Sequence, residues 1–418
     1  MRPIINKYSV IIACAAAMLA TGVHYVWSIF QSPVMEYFAV TSSNASLVFY
    51  LFVAFNVVGI IIGGRICDRM GPRLPVIIGS LIYIAGLIAS SFVPQDQFKL
   101  LYFTYSGMVS FGGGFVYTCA ISCAKIWWPE RKGVAGGFVV SMLGASTLIL
   151  APTITALISS PSIGLMKSFR VLGLSFLVIL AIASVFMRYP DVKSGSVSQS
   201  GQNVRSKETT IRILKNKSYY LLMICLIIAP FAYNTVNPLM KILGAERGLS
   251  ETVIGSMIMV SGIASAIGRL LFGKMCDNTS SRNVFSILFL VSFVCILGLA
   301  FAQGGLFYGL TILLTCAYGG IAGITPMLAV DYFGSENSGT SFGMLMIAVL
   351  FSSLLSPVVI SAIATLDGKL TVWNFIVAAI LSIVGLAVIR INRLNKDTVA
   401  FDSNAAKAAE EKIPVEII

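Results

Sequence analysis

Gly64-Arg-Ile-Cys-Asp-Arg-Met-Gly-Pro-Arg73 closes one long apolar run, and Gly273-Lys-Met-Cys-Asp-Asn-Thr-Ser-Ser-Arg282 closes another. The two stretches share Gly, Asp and a final Arg at the same spacing, 209 residues apart. A charged loop that recurs half a chain later points to two parallel halves. A weaker echo joins Trp127-Trp-Pro-Glu-Arg-Lys-Gly133 to Tyr332-Phe-Gly-Ser-Glu-Asn-Ser-Gly339. Halves of this kind suggest two helical bundles rocking about a central site.

The residues around these loops are too apolar for a water-soluble protein. The chain is 57% hydrophobic and 11% charged, with a mean hydropathy of +0.89. A soluble protein carries roughly 25% charged residues. A membrane helix needs about 20 apolar residues. Twelve runs qualify, over residues 8–30, 45–64, 74–93, 100–123, 134–158, 168–187, 218–240, 250–272, 284–302, 306–330, 340–364 and 371–391. The first, from Tyr8, is read as a span because it is too long for a cleavable leader and lacks a small-residue cleavage site. The expected fold is an all-α polytopic membrane protein of twelve transmembrane helices in two six-helix bundles. Residues 1–187 form the first bundle, 188–217 a linker, 218–392 the second bundle and 393–418 a tail. The linker contains Ser194-Gly-Ser-Val-Ser-Gln-Ser-Gly-Gln202, a flexible composition.

Lys and Arg counts set the orientation. With the N-terminus inside, the inner segments hold 22 of the 29 basic residues and the outer loops six. This places both termini and the linker in the cytoplasm, with the chain in the inner or plasma membrane. The net charge of +12 belongs to this pattern, because the basic residues sit beside apolar runs, and no nucleic-acid partner is expected. The expected partners are the lipid bilayer and a small carboxylate, and the chain is expected to act as a monomer. The eight cysteines include no Cys-x-x-Cys pair and read as small packing residues. Neither a metal nor another cofactor is expected. Catalysis would need convergent nucleophiles or ligands, and one His with no mid-membrane Asp or Glu does not supply them, so the chain is not read as an enzyme.

One cation remains. Arg269 lies within the apolar run Val253–Phe272, in Ser261-Gly-Ile-Ala-Ser-Ala-Ile-Gly-Arg-Leu-Leu-Phe272. A charge at membrane depth costs at least about 2.5–3.5 kcal/mol and usually faces a partner, a cavity or a substrate. A permanent guanidinium points toward anions; the bland alternative is an arginine that snorkels to the nearby loop. Gly112-Gly-Gly114 and Gly319-Gly320 permit close helix contact. Pro230 and Pro238 predict kinks in the seventh span, where Asn234 and Asn237 either line a path or bond across helices.

At the loops the chain resembles the major facilitator superfamily, whose signature is Gly-x-x-x-Asp-Arg-x-Gly-x-Arg/Lys. Gly64, Asp68, Arg69, Gly71 and Arg73 match every position, and the second copy keeps Gly273, Asp277 and Arg282. The resemblance implies a gating loop, in which Asp68 pairs with Arg131 across the closed cytoplasmic face. Gly22-Val-His-Tyr-Val-Trp-Ser-Ile-Phe-Gln-Ser-Pro33 and Lys125-Ile-Trp-Trp-Pro-Glu-Arg-Lys-Gly133 are similar to the oxalate/formate antiporter branch, which is related to monocarboxylate transporters. That branch carries an eighth-span arginine where Arg269 stands. The resemblance implies a central cavity near His24, Tyr25, Tyr117 and Tyr318, which with Arg269 form the expected substrate site. A tyrosine offers both a hydroxyl and an apolar ring, suited to a small carboxylate.

The departures narrow this expectation. Oxalate exchangers resemble one another in an eleventh-span lysine; Val349 stands there. They tend to place a bulky aromatic near Ala322. Animal-type monocarboxylate transporters carry an aspartate where Ser265 stands and a first-span lysine where Ile29 stands. Arginine pairs with one carboxylate in bidentate fashion, and a second carboxylate would lack a cation. The expected function is secondary transport of a monocarboxylate of the pyruvate, lactate or formate type, by antiport or proton symport. Oxalate/formate-type dicarboxylate exchange is the alternative, and a carboxylate-sensing receptor is the alternative of another class.

Overall fold

The computed structural model describes residues 6–128, 132–189, 213–333, 338–364 and 370–392. Among them are twelve helices long and apolar enough to cross a membrane. They are α1 (Lys7–Phe38), α2 (Ser42–Cys67), α3 (Arg73–Ser90), α4 (Lys99–Trp127), α5 (Ala135–Ser159), α6 (Gly164–Phe186), α7 (Lys217–Glu246), α8 (Glu251–Cys276), α9 (Ser281–Leu299), α10 (Gly304–Phe333), α11 (Phe342–Ile363) and α12 (Val372–Ile391). Each apolar run of the sequence overlaps one of them, and the runs 74–93 and 284–302 extend past their helix ends at Ser90 and Leu299.

The helices overrun the apolar runs where polar residues find partners. α1 continues to Phe38, past Gln31. Gln31 is fully buried. Its Oε1 accepts from Trp27 Nε1 at 2.7 Å, and its Nε2 donates to Ser42 O at 3.1 Å and Ser46 Oγ at 2.9 Å. A buried amide satisfied in this way costs little, so the helix need not end there. Ala39, in the left-handed region at φ 50°, then turns the chain into α2.

Three spans are discontinuous, α5 being interrupted at Ser146. α1 passes through a 3-10 turn at Gly22–Val26, and α7 breaks at Ala229–Pro230 and tightens again at Asn237–Leu239. A Cβ on Gly22 would collide with the Ser146 side chain and lie 2.8 Å from the Leu143 carbonyl. Glycine therefore lets the turn press directly on α5. Asn234 bonds across helices, donating to Ser356 Oγ at 3.2 Å, and its carbonyl accepts from Tyr50 at 2.8 Å.

The repeat extends from the loops into the spans. Gly59 and Gly268, and Gly114 and Gly323, are again 209 residues apart. In each half these glycines remove side chains where the second span of the half meets the fourth. A Cβ on Gly114 would lie 2.7 Å from Ile60 N, and one on Gly323 would lie 2.9 Å from Arg269 Cα. Helices that lack side chains at a crossing approach to backbone contact.

The apolar core is divided unequally. One buried cluster runs through α1–α6 and continues into the distal parts of the second half, at Phe231–Leu243, Ile254–Ile258 and Cys295–Ala302. A second cluster contains only second-half residues on the linker side, among them Leu222, Phe272, Phe285 and Leu328. The halves thus share a core on the face away from the linker and keep separate cores on the linker face.

Candidate functional site

A cavity of about 130 Å³ lies between the halves at mid-span. The first half contributes Thr21, His24 and Tyr25 of α1, Phe52, Val53, Asn56, Val57 and Ile60 of α2, Gly113 and Tyr117 of α4, and Val140 and Leu143 of α5. The second half contributes Leu226 and Pro230, Arg269, Tyr318 to Thr325, and Phe342, Met346 and Val349. Phe342 begins α11 on the linker side, so the cavity extends toward the face where the two cores are separate.

Glycines place Arg269. A Cβ on Gly268 would strike the Cys316 carbonyl, one on Gly319 would strike Ser265 O, and one on Gly323 would lie 3.0 Å from Arg269 O. α8 and α10 therefore touch backbone to backbone. The side chain of Arg269 runs into the cavity wall and is only 5% exposed, so it does not snorkel. Its Nη2 donates to the Tyr25 hydroxyl and its Nη1 to Val140 O at 3.4 Å, while Nε has no hydrogen-bond partner. The guanidinium carbon lies 5.5 Å from the centre of the Tyr25 ring. Both partners belong to the first half, so the guanidinium bridges the two halves.

Arginine has five N–H donors, and the protein engages two of them. No carboxylate lines the cavity among the described residues. A buried cation without a counter-ion is costly, and an entering anion would relieve that cost.

The structure brings His24, Tyr25, Tyr117 and Tyr318 to this one cavity. His24 stacks on Phe52, with ring centres 5.3 Å apart, and packs against Tyr25 at 4.2 Å. Tyr318 lies flat on Tyr233 at 3.7 Å. Val349 and Ala322 also line the wall, whereas Ser265 is fully buried outside it and Ile29 packs in the core. Arg269 is therefore the only basic Lys or Arg side chain lining the cavity among the described residues. Sequence reading missed Asn56 and Thr21. Asn56 is a lone amide in an apolar run, the same signal that marked Arg269.

The loop residues stand apart from the cavity. Gly64 packs on α4, where a Cβ would lie 3.3 Å from Thr118 Oγ1. Gly71 caps the helix at φ +76°, with its N–H on Cys67 O at 2.9 Å. Arg69 and Arg73 are exposed. Gly273 is buried, with Met327 Cε 3.8 Å from where its Cβ would be. Arg282 is partly buried, and its Nε lacks a partner. The Asp68 and Asp277 side chains and all of Arg131 lie outside the described residues, as does the expected Asp68–Arg131 pair. Near the second loop, Ser281 Oγ donates to Asp331, which the sequence did not mark.

Twelve spans, a repeated loop and a cavity between two halves indicate a family, and comparison identifies it. The profile of the Major Facilitator Superfamily matches residues 12–234 and again 222–414. The chain belongs to the Major Facilitator Superfamily. It is 23% identical over 388 residues to the oxalate:formate antiporter of Oxalobacter formigenes, covering 91% of this chain and 90% of that protein. It is 22% identical over 422 residues to monocarboxylate transporter 12 of Xenopus laevis, covering 93% and 90%. It is 26% identical over 286 residues to monocarboxylate transporter 10 of Danio rerio, covering 67% and 55%. The protein is a multi-pass membrane transporter of this superfamily, in the branch that these relatives represent.

Proposed function

We propose that the protein carries a small organic monocarboxylate across the membrane by alternating access, with Arg269 holding the carboxylate. The observation that carries this reading is a buried guanidinium in a mid-span cavity, with unused donors and no carboxylate beside it among the described residues. A carboxylate accepts two parallel N–H bonds from such a group. Tyr25, Tyr117 and Tyr318 surround the anion, and His24 and Phe52 close the apolar side. Val349, where a second cation would serve a dicarboxylate, leaves that end of the cavity apolar. An engineered cavity of about 150 Å³ holds benzene, a ligand of six heavy atoms; the cavity here, about 130 Å³, suits a three-carbon acid. The relatives named for oxalate, formate and monocarboxylates support the same chemistry. Asp68, Arg69, Arg73 and Arg131 gate the cytoplasmic side, Gly64 and Gly71 shape their loop, and Gly273, Asp277 and Arg282 form its second copy. Both termini face the cytoplasm.

Exchange is favoured over proton symport. Returning empty would carry an unpaired guanidinium through a dry state, and no carboxylate lines the cavity among the described residues to take up a proton. Proteoliposomes test both points. Labelled lactate should enter vesicles preloaded with lactate or pyruvate and should not enter empty ones. Robust uptake into empty vesicles, driven by a pH gradient, would exclude obligatory exchange. Absence of flux with any small monocarboxylate would reject the function.

A further inference from the structure

Resting on the carboxylate reading above, we propose that Asn56 makes this site selective for a 2-hydroxy acid over the matching 2-oxo acid. Asn56 lines the cavity from α2. Its backbone is pinned to α4, because a Cβ on Gly114 would lie 2.5 Å from Asn56 O. Its Nδ2 donates to the Ser110 carbonyl at 2.9 Å. A carbonyl can only accept, so this contact fixes which end of the amide faces α4. Nδ2 also faces Gly113, 3.6 Å from where a Cβ would be. The amide therefore leaves Oδ1 for the cavity. Oδ1 has no hydrogen-bond partner among the described residues, yet it is not among the buried unpartnered atoms. It is an accessible acceptor with nothing to accept.

The remaining polar groups of the cavity differ in what they offer. Thr21 Oγ1 spends its proton on Ala17 O at 3.0 Å, which leaves only acceptor capacity toward the cavity. The donors gather at Arg269, where the Tyr25 hydroxyl accepts from the guanidinium and keeps its own proton free. Gly113 lies one helical turn from Tyr117 along α4, and Tyr117 faces the Arg269 end. The acceptor patch and the donor patch thus line the same cavity of about 130 Å³. A carboxylate fits the donor patch. Its neighbouring carbon must then present a proton to Asn56 Oδ1: a hydroxyl does so, whereas a ketone oxygen meets an acceptor with an acceptor.

Lactate and pyruvate share a carbon frame and differ at this atom. Their dissociation constants, measured by calorimetry on the purified full chain in lipid nanodiscs, test the proposal. Lactate should bind the parent more tightly than pyruvate. Asn56→Leu should weaken lactate about fivefold, the usual worth of one neutral hydrogen bond, and leave pyruvate unchanged. Binding of pyruvate also shows that the variant's site is folded. Asn56→Ala, which adds no bulk, is read by the same ratio. If Asn56 variants move both acids equally, this inference falls and the carboxylate reading stands. If the parent binds neither acid, both fall.

Discussion

Replacing Gly262 by alanine should uncouple the two halves without touching the substrate. α5 and α8 meet across the interface at Gly144 and Gly262, with the Thr147 side chain seated against Gly262. A Cβ on Gly262 would strike the Thr147 hydroxyl and the Gly144 carbonyl, and would lie 2.7 Å from Thr147 Cγ2. Thr147 is not free to move, because its one hydroxyl proton is shared between Gly144 O at 2.9 Å and, across the interface, Met259 O at 3.2 Å. The reciprocal change, Gly144→Ala, would set a Cβ 2.6 Å from Gly262 O, and ordinary contact begins near 3.4 Å, a parting of 0.8 Å. Overpacking of this kind costs about 1–3 kcal/mol. If the contact belongs to the conformer whose halves join on the distal face, that cost shifts the conformational equilibrium by about 5–150-fold. Lactate exchange in proteoliposomes should fall at least about fivefold. Labelling of a Phe342→Cys reporter by an impermeant maleimide added on the linker side should fall with it. Gly255→Ala on the same helix is the matched control, since a Cβ there meets nothing within 4 Å. Unchanged exchange and labelling in Gly262→Ala would refute the backbone contact and the reasoning built on it.

Three further outcomes follow from the site. Tyr25→Phe removes the only hydroxyl bonded to Arg269 among the described residues; a hydrogen bond to a charged group is worth about 1.5–3 kcal/mol, so lactate affinity, read by calorimetry, should fall at least about tenfold. Val349→Lys adds a second cation to the cavity wall and should move competition for transport toward oxalate or malonate; an unchanged ranking would show that Val349 does not face the second carboxylate. Asp68→Asn should lower flux while expression and lactate binding stay at parental levels, because the loop proposed to gate lies away from the cavity; normal flux would remove Asp68 from gating.

The spans and Arg269 were legible because both rest on strong, local signals. Twenty apolar residues in a row have few explanations, and one guanidinium among them has fewer still. The two loop copies, at Gly64 and Gly273, then gave the parallel halves. Which face of each span points inward was not legible. A membrane helix is apolar toward lipid and toward its neighbours alike, so apolar periodicity does not separate the two faces. Asn56 and Gln31 show the consequence. Both are lone amides in apolar surroundings, yet one keeps an open acceptor at the cavity and the other is spent on α2. The 3-10 turn at Gly22–Val26 was also hidden, because its cause is Ser146 and Leu143 of another helix. The glycine pairs Gly59 with Gly268 and Gly114 with Gly323 were available at the 209-residue offset, but only the crossings give them meaning.

The central claim is that Arg269 holds the substrate carboxylate. Its most direct test is calorimetric titration of lactate into the purified parent and Arg269→Gln, with folding of the variant checked by thermal unfolding. Charge-assisted hydrogen bonds are worth about 1.5–3 kcal/mol, so the variant should bind lactate about 10–150-fold more weakly, if at all. Equal affinity in the two folded proteins would contradict the account.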